Sequence, residues 1–126
     1  MSIMDKNKEL QKVLKELRNS VSGNIEASVI VDVQGLPISS DMPENINEGI
    51  IAAMTATILS VSENALKELQ RGEINKVLVE GKDGSLILMN AGPNAILAVL
   101  VKQKTNLGLL FLVMRRAAEN IAAILS

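Results

Sequence analysis

Apolar positions along this chain alternate between two spacings, and the switches mark out its elements. From Asn7 to Val21 the residues Leu10, Val13, Leu14, Leu17 and Val21 recur at three and four, the period of one helix face. Lys8, Lys12, Lys15, Glu16 and Arg18 fill the remaining positions, and Ser22-Gly23 predicts the end of this helix. From Ala27 to Ser40 the spacing changes. Val29, Ile30, Val31 and Val33 are β-branched residues suited to a buried pleated surface, and Gln34-Gly35 supplies the positive φ of a two-residue hairpin turn. A second short strand over Leu36-Pro37-Ile38-Ser39-Ser40 completes the hairpin.

Ser40-Asp41-Met42-Pro43-Glu44 combines capping residues, an early proline and acidic side chains, which predicts a helix start there. The helix is expected to run to Gly72. It carries two apolar stripes. Ile46, Ile50, Met54, Val61, Ala65 and Leu69, with Ile51 and Ile58 at one edge, form the stripe expected to pack on a sheet. Ala52, Thr55, Leu59, Ser62 and Leu66 follow in steps of three and four, the spacing of a seam between two helices. Their small size permits close approach, so this second stripe is expected to meet a partner helix. A terminal helix of the same protomer would be the other possible cover.

Three short apolar runs follow, Asn75 to Glu80, Ser85 to Asn90 and Ala95 to Val101, separated by Gly81-Lys82-Asp83-Gly84 and Ala91-Gly92-Pro93-Asn94. They predict strands joined by turns. The unbroken hydrophobicity of the last places it inside a sheet, whereas Lys76 and Glu80 at the ends of the first suit an exposed edge that can pair with another chain. Leu107, Leu110, Met114, Ala117, Ile121 and Ile124 or Leu125 then return to the helical period, predicting a closing helix from near Asn106. The 126 residues are expected to form one domain over 1–126.

Composition narrows the chemistry. The chain has no cysteine and no histidine, which removes disulfides, thiolate nucleophiles, imidazole bases and the usual zinc ligands together. Thirteen basic against fourteen acidic residues give no broad attraction for nucleic-acid phosphates, and Phe111, the sole aromatic residue, provides no stacking platform. Ala95–Val101 and Leu107–Met114 are too short to span a bilayer, and the charged start lacks the apolar core of a signal peptide, so a cytoplasmic protein without direct membrane insertion is expected. Lys6 to Arg18 holds five cations, but Asp5, Glu9 and Glu16 dilute them, and this helix face is read as solvated.

Gly81-Lys82 is followed by Asp83 rather than Ser or Thr, so no phosphate-binding loop is present. Asp32, Glu80 and Asp83 are assigned to turns and solvent rather than to catalysis. Arg71, Arg115 and Arg116 are read as ordinary surface arginines rather than fingers reaching a partner's phosphate site. No catalytic residue, metal ligand or cofactor site is expected.

Three stretches together resemble the Roadblock family, the dynein light-chain relatives that include bacterial and archaeal regulators of small Ras-like GTPases. They are Ser28–Ser39, Val77–Leu88, and Asn106-Leu-Gly-Leu-Leu110 with Arg115-Arg116-Ala-Ala-Glu119. The resemblance implies an α+β fold of order α-β-β-α-β-β-β-α, a five-stranded antiparallel sheet with the long helix on one face and the two terminal helices on the other. It implies a homodimer in which the third strand pairs with its mate and the long helices pack together. Carried onto this chain, Lys76, Val77, Leu78 and Val79 fall at the strand junction, with Ala52, Thr55, Leu59, Ser62 and Leu66 near the helix pair.

The resemblance further implies a non-enzymatic platform for a small Ras-like GTPase, with Glu48, Ala52, Thr55 and Leu59 as partner-binding candidates. Two other readings stand beside it. One is a small-ligand sensor with a pocket lined by Ile30, Met54 and Met89; the other is a structural subunit of a transport or motility assembly.

Overall fold

A computed structural model describes residues 2–21 and 23–126. The elements are α1 (Ile3–Ser20), β1 (Ile25–Asp32), β2 (Pro37–Asp41), α2 (Glu48–Glu68), β3 (Val77–Gly81), β4 (Gly84–Asn90), β5 (Ala95–Lys102) and α3 (Leu107–Leu125). The strands form one antiparallel sheet of order β2-β1-β5-β4-β3. This is the expected α+β order. The helix end expected at Ser22-Gly23 falls partly on Ser22, outside the described residues.

Alternation along the strands divides the core into two layers. Ile30, Ile87, Met89, Leu97, Val99 and Val101 face α1 and α3, where they meet Leu10, Leu14, Leu17, Leu110, Met114 and Ile121. Val29, Val31, Leu88, Ile96 and Ala98 face α2 and meet Ala52 and Leu59. β5 lies between β1 and β4 and is buried along nearly its whole length, as its continuous apolar run predicts.

Two elements differ most from expectation. The hairpin between β1 and β2 is a four-residue loop over 33–36 rather than a two-residue turn. Asp32 is the reason: its Oδ1 accepts from the backbone N–H of Gln34 at 2.9 Å and of Leu36 at 3.0 Å, an arrangement that needs the longer connection. Gly35, at φ 90°, brings this loop against α2, its ideal Cβ position lying 3.4 Å from Ala56 Cβ.

The other is α2, which starts at Glu48 and not beside Pro43. Ser40 and Asp41 are taken by pairing with Val29 and Ser28 in the sheet, and Asn47 caps instead, its side chain accepting from Ile50 N at 3.0 Å. At the far end the helix stops at Glu68, four residues before Gly72. Arg71 N closes onto Leu66 O at 2.8 Å while Gln70 turns to φ 55°.

Candidate partner interface

α2 has no charged residue between Glu48 and Glu63, and by length and composition it is apolar enough to cross a membrane. Its seating on the sheet reverses the expected roles of the two stripes. Ala52 and Thr55 are fully buried and Leu59 is 4 % exposed, all against the protomer's own sheet; Ser62 and Leu66 are half-buried. The stripe expected to cover the sheet faces outward instead, with Ile50 at 54 %, Met54 at 57 % and Val61 at 63 % exposure.

The cause is steric. Ala52 and Thr55 are small enough to lie beneath a closely seated helix, beside the larger Leu59, while Ile50 and Met54 face outward. Small size was therefore a signal for the intramolecular contact. Neither terminal helix provides the cover, since both lie on the opposite face of the sheet.

Thr55 carries an extra cost of this seating, because its hydroxyl is buried without a hydrogen-bond partner. Thr55→Val, which keeps shape and β-branching, is expected to stabilise the fold by about 1 kcal/mol. Urea melts of the two proteins check this; a loss of stability would mean that the hydroxyl is bonded.

α2 rests on β1, β2 and β5. The β3–β4 side of that face is incompletely covered, so Val77 and Leu86 are half-buried and Val79 is 44 % exposed. Val79 pairs with Leu86 and shares its side of the sheet, whereas Leu78 pairs with Ile87, looks towards the α3 side and is 40 % exposed. β3 is the last strand of the sheet, so its outer N–H and C=O groups have no neighbouring strand. The edge lies where the sequence predicted it. Lys76 stands just before the strand, with its Nζ 4.7 Å from the centre of the Phe111 ring, and this contact ties the start of β3 to α3.

Glu48 sits in the first turn of α2 and accepts a hydrogen bond from the Ser40 hydroxyl, linking the helix start to β2. It is half-buried, and it does not join Ala52, Thr55 and Leu59 in an accessible patch, since those three are in the core. The pocket of Ile30, Met54 and Met89 does not form either. Ile30 and Met89 are buried on the α1–α3 side, while Met54 is exposed on the outer side of α2 across the sheet. An open groove of about 1020 Å³ lies elsewhere, between the second half of α2 and the β4–β5 turn, with Leu59 and Ile96 at its base and Glu63, Lys67 and Glu73 among its lining.

β3 presents a hydrogen-bonding edge, and α2, seated over β1, β2 and β5, presents an uncharged outer flank. Such surfaces are recognition features. Comparison with known proteins agrees with this picture at the level of fold. The Roadblock/LC7 domain model matches residues 9–101. Uncharacterized protein MJ1340 of Methanocaldococcus jannaschii is 35 % identical over 114 residues, covering 90 % of this chain and 97 % of that protein. The solved gliding protein MglB of Thermus thermophilus is 20 % identical at a TM-score of 0.86, covering 94 % of this chain and 90 % of that one. An MglB structure with a tetrameric arrangement is likewise 20 % identical at a TM-score of 0.85, covering 94 % and 89 %.

Proposed function

We propose, from the premise that this chain belongs to the Roadblock/LC7 domain family, that it is a homodimeric, non-enzymatic platform that binds and regulates a small Ras-like GTPase. The observation that carries the proposal is the pairing of an open β3 edge with the exposed Ile50, Met54 and Val61 of α2. A protomer in water leaves both uncovered, and a second copy resolves both at once. Antiparallel β3–β3 pairing about a two-fold axis continues the sheet, and the α2 flanks close over the thinly covered half. This assigns Val77, Leu78 and Val79 to the strand junction, with Lys76 beside it. It moves the helix contribution from Ala52, Thr55 and Leu59 to the outward stripe.

Regulation of a GTPase is what family membership adds. The chain brings no histidine, cysteine or phosphate-binding loop of its own, so any acceleration of hydrolysis would come from positioning the GTPase's groups. The tetrameric arrangement of a solved MglB supports self-association of this chain.

The test has two arms. Light scattering should give a mass near twice the 13.5 kDa protomer. The tagged protein, incubated with cell lysate of its source organism and either a GTP analogue or GDP, should retain a small GTPase with a preference for one nucleotide state. That GTPase should then change its hydrolysis rate when the purified proteins are mixed. Retained partners that ignore nucleotide, with no GTPase among them, would favour the structural-subunit reading instead.

A further inference from the structure

Charge in this molecule is sorted by layer. α1 and α3, which share one face of the sheet, carry seven basic and four acidic residues, whereas the remainder of the chain carries six basic and ten acidic. A net charge of -1 thus conceals a basic helix layer opposite an acidic remainder. At 100° per residue, Lys8, Lys12 and Lys15 fall within about 60° of one another, directly opposite the buried Leu10, Val13, Leu14 and Leu17. Asp5, Glu9 and Glu16 all lie to one side of that row. The three lysines are exposed and form no ion pair among the described residues, unlike Arg18, which is held by Asp41 at 3.0 Å.

On the neighbouring helix Arg115 and Arg116 are exposed as well. Apolar side chains stand among these cations, with Leu112 at 61 % and Leu109 at 42 % on α3, and Met4 at 72 % at the start of α1.

We propose that the α1–α3 layer adsorbs flat onto an anionic lipid surface, with the α2 side turned away from it. A lipid surface is favoured by the form of the layer. Its cations are spread over two helices, and protruding aliphatic side chains punctuate them. Such a pattern matches a density of negative charge with an apolar layer just beneath it, which anionic headgroups and acyl chains supply together. Without aromatic anchors in the layer beyond the half-buried Phe111, adsorption rests mainly on charge and weakens with salt. The outward surfaces of α1 and α3 lie on the opposite side of the sheet from the outward stripe of α2, so adsorption does not depend on the GTPase reading, and a dimer would double the contact.

Sedimentation of the full chain with vesicles tests this. Phosphatidylcholine vesicles containing about one third phosphatidylserine should carry the protein down at low ionic strength, and phosphatidylcholine alone should not. Neutralising the row with Lys8→Gln, Lys12→Gln and Lys15→Gln keeps good helix formers and should weaken the partition roughly 100-fold, at about fivefold per lysine. Arg115→Gln with Arg116→Gln should weaken it by about 25-fold at the same factor per cation, with unchanged circular dichroism in both variants. Failure of the unaltered protein to sediment with anionic vesicles, or full binding by either variant, would overturn the proposal. Retention on immobilised polyglutamate without vesicle binding would likewise overturn it and assign the face to an acidic polypeptide.

Discussion

Met54→Arg is expected to leave the protomer folded and to separate the dimer. Met54 is 57 % exposed on the outer side of α2, so the substitution disturbs little in the protomer, and stability should hold within about 0.5 kcal/mol. In a two-fold dimer the same change occurs twice across one axis. It would bring two guanidinium groups into an apolar contact where neither finds a carboxylate, because α2 is uncharged from residue 49 to residue 62. The dimer dissociation constant should rise by about 100-fold or more, read as a fall in mass by light scattering at micromolar protein. Leu112→Arg, at a position of similar exposure on α3, should leave the mass unchanged. A Met54→Arg protein that kept the dimer mass would remove the outward α2 stripe from the interface.

Leu59→Arg should behave in the opposite way and unfold the chain. Leu59 is 4 % exposed and packs in the layer with Val29, Val31, Leu88 and Ile96. An arginine there must bury an unpaired charge, lift α2 from the sheet, or thread out through the groove towards Glu63, and each route breaks the packing of this layer. The cost should be about 4 kcal/mol, a large share of the stability of a domain of this size. Loss of the cooperative thermal transition in circular dichroism would be the result. A well-folded Leu59→Arg protein with wild-type melting would mean that α2 seats on another face. Comparing the two arginine variants therefore separates a core stripe from an interface stripe on one helix.

The distinction between those stripes is where sequence reasoning stopped short. Both follow helical spacing, and the period of a pattern says which residues share a face but not which face is inward. Larger aliphatic side chains suggested the core, but distance of approach decided otherwise: Ala52 and Thr55 fit beneath a closely seated helix, and Met54 does not. The same ambiguity affected Ile30, Met54 and Met89, three apolar residues that suggested one pocket. A sheet lies between Met54 and the other two, and only the order of the layers reveals it.

What the chain determined by itself was local and periodic. Strand alternation, glycine and proline punctuation and the three-four spacing of Leu10 to Leu17 and Leu110 to Ile121 were sufficient for the element order, and the polar ends of β3 marked it as an edge. These signals are legible because they act between residues a few positions apart. Tertiary structure alone decided the inward face of α2 and the delayed start of that helix once Ser40 and Asp41 had paired with β1. Each of these depends on residues distant in sequence competing for the same space, backbone partner or side of the sheet, and no local period records the outcome of that competition.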